Sequence, residues 1–239
     1  MTRPYLYQTV HLLDGRPRML EAHLGLLADW AARIFGIGYR PDAERMRRRI
    51  AARADEEGCP AGQSCFVRLQ LYADGEERLG PAVGSLYRGY ALRSLLPEAT
   101  VLRYEVPLFV APTSAREAAA ALARHRAQLA GAHVAVRCDG DGLLRTADDA
   151  PLFAVRGKTV CTPPAPPSVE RGIALRAVAS AGFDLREEPL PAALLPAFDE
   201  LFYVDHRGVT ALAHCDGNPY MALYAERIAA TMEAGFAGR

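Results

Sequence analysis

Between His133 and Pro164 the chain reads HVAVRCDGDGLLRTADDAPLFAVRGKTVCTPP. Two apolar-rich runs flank an Asp-Gly turn, and a third and fourth flank Gly157-Lys158, before prolines close the segment. Strands this short, separated by turns this tight, bury their apolar side chains only by pairing in an antiparallel sheet. The segment therefore demands a sheet in the second half of the chain. Helical stretches bracket it: AREAAAALARHRAQLAG before, with Thr113 or Ser114 as cap and Glu117 in the first turn, and SVERGIALRAVASAGF after. Beyond them DLREEPL, FDELFYVD and GVTALAHCDG read as strands, and NPYMALYAERIAATMEAGF as a last helix.

The first half has its own pattern. YLYQTVHLL alternates, Asp14-Gly15 turns the chain, and a return strand is expected. Leu24, Leu27, Ala31 and Ile34 recur at helical spacing, and a second helix is expected over 42–57, capped at Pro41-Asp42. SCFVRLQLYADG, GSLYRGYALRSL and ATVLRYEVPLFVAP read as further strands. The expected fold class is α+β, with an N-terminal α+β domain at 1–106, a linker at 107–114 (PLFVAPTS) and a C-terminal α/β-barrel-like domain at 115–239, with a pocket where the two meet.

Charge narrows the partners. Lys plus Arg and Asp plus Glu both number 28, so no overall field favours nucleic acid or an anionic membrane surface. The basic stretch ERMRRRIAAR places Met46 and Ile50 on one helical face and reads as a solvated face. No apolar run approaches the roughly 20 residues that span a bilayer, and MTRPYLYQTVHLLDG has no signal-peptide core. The five cysteines form no C-x-x-C pair; reduced thiols and a cytoplasmic location are expected. His206, His214 and Cys215 lack ligand spacing, so a polar turn is expected there and no metal.

In order along the chain, YQTVHLLDGRPRMLEAHLGLL, DGLLRTADDAPLF, KTVCTPP, ERGIALRAVASAGF and LLPAFDELFYVDHRGVTAL resemble the successive signatures of the class IV aminotransferases, the fold-type IV pyridoxal-phosphate enzymes. That family includes branched-chain aminotransferase, D-amino-acid aminotransferase and aminodeoxychorismate lyase. The resemblance implies a two-domain fold with an interdomain pocket, a homodimer and pyridoxal phosphate. It starts without the strand or two that usually precede the family's F-E-T.

The resemblance also implies which positions should hold the cofactor, and the expected residues are missing there. Thr113 stands at the Schiff-base lysine, between Pro112 and Ser114; Thr146 at the glutamate that faces the pyridine nitrogen; Leu26 at the phosphate arginine; and Pro151 at the motif's asparagine. Gly172 and Ile173 persist at the helix start, but Ala174 and Leu175 replace the Thr and Arg that follow. A hydroxyl forms no imine, and a neutral threonine cannot keep a pyridine nitrogen protonated. Lys158 is the one lysine in the chain, and its hairpin turn faces water by pattern.

The expectation is a degenerate member of the family, cytoplasmic and homodimeric, with no catalytic residue assigned and pyridoxal phosphate not bound covalently. A small anionic ligand or a protein partner would take the cofactor's place, near Arg68, Tyr72, Gly172, Ile173, Val209 and Thr210. Arg68 stands out because a guanidinium on an apolar strand needs an anion or an internal carboxylate. An enzyme reusing the pocket for other chemistry, and a conventional aminotransferase or lyase with a displaced lysine, are the alternatives.

Overall fold

The computed structural model describes residues 3–60, 62–93 and 95–237. The chain falls into two compact units, Met1–Gly89 with Leu108–Ala115 and Pro167–Val169, and Tyr90–Pro107 with Arg116–Pro166 and Glu170–Arg239. Mixed helix and strand content in both makes the fold class α+β.

The first unit comprises β1 (Tyr5–Leu13), β2 (Arg16–Pro17), α1 (Leu20–Trp30) extended by a π-helical turn at Ala31–Phe35, α2 (Ala43–Glu56), β3 (Ser64–Tyr72) and β4 (Glu77–Gly84). Its sheet runs β2-β1-β3-β4. Strand alternation puts Leu6 and Val10 on the face that packs with Val67, Leu69 and Leu71 against Leu24, Leu27, Met46 and Ile50 of the helices. Asp42 caps α2, its carboxylate accepting the Arg45 N–H at 2.9 Å. The arginines of α2 point away from the core, Arg47 pairing with Glu44 and Glu21 and Arg49 with Glu77.

Three expectations change here. The return strand after Asp14-Gly15 is only two residues long, because Met19 takes φ 53° and turns the chain into α1; the long partner of β1 is β3, paired from Tyr5↔Tyr72 to Leu13↔Ser64. Among the described residues of GSLYRGYALRSL, only its first glycine and Leu92–Arg93 lie in strands; Ser94 lies outside the described residues. Cys59 and Cys65 are joined in a disulfide rather than both reduced: Gly58, at φ 68°, turns the chain after α2 and leaves the Cα atoms 6.4 Å apart, within bridging reach. Within the first unit the Tyr7 N–H donates to Pro112 O at 3.0 Å and Thr113 is bridged to Leu6.

The second unit contains β5 (Leu92–Arg93), β6 (Glu98–Arg103), α3 (Ser114–Leu129, from Arg116 on), β7 (Val134–Cys138), β8 (Leu143–Ala147), β9 (Ala150–Arg156), β10 (Thr159–Thr162), α4 (Val169–Ser180, from Glu170 on), β11 (Asp184–Glu187), β12 (Leu190–Pro191), a 3-10 segment at Ala192–Ala197, β13 (Glu200–Asp205), β14 (Gly208–Ala211), β15 (His214–Cys215), β16 (Asn218–Pro219) and α5 (Leu223–Ala237). The main path of its sheet is β16-β15-β6-β7-β8-β9-β13-β14-β5.

The segment that demanded a sheet forms β7 through β10, as antiparallel neighbours. Asp139 organises the first turn: its carboxylate accepts the Asp141 and Leu143 N–H groups at 3.1 and 2.9 Å and the Arg145 Nε at 2.6 Å. Arg137 pairs with Thr146 but Cys138 with Leu144, so Arg145 is an extra residue, a β-bulge that switches the face of every residue before it. Leu144 thereby joins Val136, Ala147, Leu152 and Tyr203 in the core while Thr146 stays on the other face.

Candidate functional site

Thr146 defines the more unusual point of the second unit. It is 2% exposed, and its Oγ1 has no hydrogen-bond partner among the described residues. Its cross-strand neighbours are Arg137 on β7 and Pro151 on β9, and side chains directly opposite in a ladder share one face of the sheet. Arg137 is itself 4% exposed. Burial pulls its guanidinium below the ordinary arginine range, against the favourable fields of Tyr104 and Glu105. The sheet therefore holds a buried cation beside a buried, unsatisfied hydroxyl.

A second polar cluster sits on the opposite face, where register aligns Tyr203 with Thr210 and Thr210 with Arg93. Arg93, 6% exposed, donates from Nε to Thr210 Oγ1 at 2.8 Å and from a terminal nitrogen to Tyr203 Oη at 3.1 Å. Asp205 stands 3.9 Å from Arg93 and accepts from Arg207 Nε at 2.8 Å. Burial alone would raise Asp205, but His206, Arg207 and Arg93 outweigh it and hold the carboxyl below its usual range. Thr210, expected to hold a ligand, is thus spoken for by Arg93. Val209 and Thr210 lie in β14, flanked by β13 and β5, so their backbone is committed to ladders.

The other sequence-selected residues fall as follows. Helix α4 begins at Val169, placing Gly172 in the first turn and Ile173 just past it, buried. The same turn carries Arg171, 3% exposed, which donates to Thr162 Oγ1 at 2.9 Å and to Glu187 at 2.6 Å. Lys158 is exposed in the β9–β10 turn, after Gly157 at φ 59°. In the first unit, Thr113 is 6% exposed, Leu26 packs against the helix–sheet core, and Arg68 is half-buried with its guanidinium carbon 4.4 Å from the centre of the Tyr7 ring. The Tyr72 ring lies 5.5 Å from that of Tyr5, with Arg3 and Arg78 over it at 4.6 and 4.9 Å.

Sequence reasoning overlooked Arg93, Arg137 and Arg171. The signal that singled out Arg68, an arginine in an apolar strand, is equally present in HVAVRC around Arg137. Among the described residues no group of three His, Cys, Asp or Glu side chains could hold a metal ion, and no helix is long and apolar enough to cross a membrane.

A family model described as amino-transferase class IV matches residues 5–205. No curated protein matches. Among solved structures, a fold IV-transaminase from Curtobacterium pusillum is 19% identical with a TM-score of 0.77, over 95% of this chain and 86% of that one. A branched-chain aminotransferase from Thermoproteus uzoniensis, solved with norvaline, is 17% identical with a TM-score of 0.79, over 95% and 84%. The branched-chain amino acid aminotransferase from Escherichia coli is 16% identical with a TM-score of 0.74, over 94% and 82%. At these identities the likeness is one of fold.

Proposed function

We propose, from the premise that this chain belongs to the class IV aminotransferase family, that it does not carry out pyridoxal-phosphate chemistry and instead binds a small anionic ligand. The observation that carries this reading is the position of the one lysine. Lys158 is exposed in the hairpin turn between β9 and β10, and Thr113, at the position the family resemblance gives to the imine-forming lysine, carries a hydroxyl that forms no imine.

Thr146 and Arg137 support the same reading. A pyridine nitrogen set against Thr146 would find a neutral hydroxyl, with a guanidinium as that residue's cross-strand neighbour, and a nearby cation disfavours the protonated ring. The residues present do not fit the family's cofactor. Buried arginines at positions 93, 137 and 171 in the second unit supply cationic character suited to an anion.

Purified protein mixed with pyridoxal phosphate is expected to show no aldimine absorbance band and no lysine labelling after borohydride. Thr113→Lys alone is expected to give no measurable transamination, since neither a carboxylate at position 146 nor an arginine at position 26 returns with it. A borohydride-trapped adduct on Lys158 in the unaltered protein, or a working transaminase from that single change, would overturn the reading.

The chain is further expected to form a homodimer. Leu86, Leu108 and Val110 of the first unit are 97, 60 and 55% exposed, apolar side chains that a partner copy would cover. Light scattering at micromolar concentration tests this, and a monomer mass would refute it.

A further inference from the structure

We propose that Cys59 and Cys65 form a reversible thiol–disulfide site, opened by a dithiol reductant that attacks the Cys59 sulfur and re-formed on oxidation without loss of the fold. The proposal is independent of the anion-binding reading and concerns the first unit alone.

Each cysteine is positioned by backbone that does not need the bridge. At the end of α2 the Gly58 N–H donates to Asp55 O and the Cys59 N–H to Ala54 O, both at 3.0 Å, a C-terminal cap closed through Gly58 at φ 68°. Cys65 lies in β3 with ladder partners on both sides, Leu12 in β1 and Gly84 in β4. Beside it Ser64 is fully buried, its hydroxyl accepting the Gly89 N–H at 2.7 Å and sharing a hydrogen bond with His11 Nε2 at 2.7 Å. Cap and ladder therefore hold the two Cα atoms 6.4 Å apart, within bridging distance. Two thiols left there by reduction stay neighbours, so re-forming the bond costs little further chain entropy. The bridge spans a sequence separation of only six, and the constraint it places on the unfolded chain is small beside that of a long-range bridge.

The two sulfurs differ in access. Cys65 is 3% exposed and packs in the helix–sheet core, whereas Cys59 is only partly buried at the edge of that core. Exchange needs a thiolate to reach a sulfur, so attack falls on Cys59 and Cys65 is the leaving group. The reductant's first thiolate bonds to Cys59 Sγ as the S–S bond breaks, and the electron pair leaves with Cys65 Sγ, which takes up a proton. The reductant's second thiolate then attacks the reductant's own sulfur in the mixed disulfide, and Cys59 departs as a thiolate and is protonated. Two electrons and two protons pass from the dithiol to the protein, and the dithiol becomes a disulfide. Cys138, Cys161 and Cys215 differ from this pair: all three are buried thiols of the second unit, and burial pushes each above the ordinary cysteine range.

The test is iodoacetamide labelling of the native full chain, read by mass spectrometry before and after dithiothreitol, with near-ultraviolet circular dichroism followed throughout. Untreated protein is expected to take no label at Cys59 or Cys65. After reduction, Cys59 should label about tenfold faster or more than Cys65, Cys138, Cys161 and Cys215, as its access requires. The dichroism should be unchanged, while the unfolding temperature falls by roughly 5 °C. Exchanging dithiothreitol for oxidised glutathione should restore both the bond and the original unfolding temperature. Cys59→Ser keeps the cap and the ladder; it should leave Cys65 unlabelled in the native protein and abolish the response of the unfolding temperature to dithiothreitol. Label entering Cys59 without reductant, reduction that requires denaturant, loss of the dichroism on reduction, or failure of the bond to return under native conditions would each overturn the proposal.

Discussion

Gly208→Ala is expected to destabilise the protein by about 3 kcal/mol, combining backbone strain and overpacking. Gly208 opens β14 at φ 122°, a conformation that side-chain-bearing residues rarely adopt. A Cβ there would lie 2.5 Å from the Ala91 carbonyl oxygen and 3.0 Å from the Tyr90 carbonyl carbon. Both are backbone, and Tyr90 is fully buried, so neither can swing aside as a surface side chain would. The close approach is what lets β5 lie parallel to β14 at Val209↔Leu92 and Thr210↔Arg93, and hence what delivers Arg93 to Thr210. Gly15→Ala is the control: it also has positive φ, 70°, but nothing lies within 4 Å of its added Cβ, so only the local cost of about 1 kcal/mol is expected. Urea unfolding of the two variants checks the contrast, and equal midpoints would show that the Ala91 contact is not the constraint.

Glu200→Ala is expected to cost about 3 kcal/mol, from buried donors left unpaired and a lost helix cap. Glu200 is wholly buried, its two carboxylate oxygens accepting the Tyr224 N–H at 2.7 Å and the Ala225 N–H at 2.9 Å. These belong to the first turn of α5, where N–H groups have no partner within the helix and the helix dipole favours negative charge. Burial pushes the Glu200 carboxyl above its ordinary 4.5, against the pull of the backbone N–H groups of Tyr224, Ala225 and Leu223. The folded chain thus holds this proton more tightly than the unfolded chain does. Glu200 then contributes stability that is fully present below 4.5 and is lost as the pH rises from there through the folded value. Glu200→Gln removes that titration. The difference in unfolding free energy between the unaltered protein and Glu200→Gln should therefore change as the pH rises above 4.5; a difference independent of pH there would contradict the assignment.

Legibility differed sharply between levels. Strand alternation in YLYQTVHLL, the strand at SCFVRLQLY, the Asp42 cap and the Asp139-Gly140 turn are local, each set by a few neighbouring residues, and each appears in the fold where the pattern puts it. The family resemblance, too, depends on the order of such local signatures, and the family model matches over 5–205. Arg137 escaped notice although its context matched that of Arg68, because an arginine in an apolar strand says nothing of which residue will stand across from it.

What the sequence determined by itself was most of the longer strands and helices, their apolar sides, the single lysine and the absence of a lysine at position 113, because each depends on identity and near-neighbour spacing. Tertiary structure alone decided that β1 pairs along its length with β3 instead of a hairpin return, that Cys59 and Cys65 meet, and that Thr210 is taken by Arg93. It also decided, through one extra residue at Arg145, that Thr146 shares a face with Arg137 while Leu144 turns to the core. Periodicity specifies which side of a strand is apolar, but register and partner are set by packing between segments far apart in the chain, and a one-residue shift reverses every face.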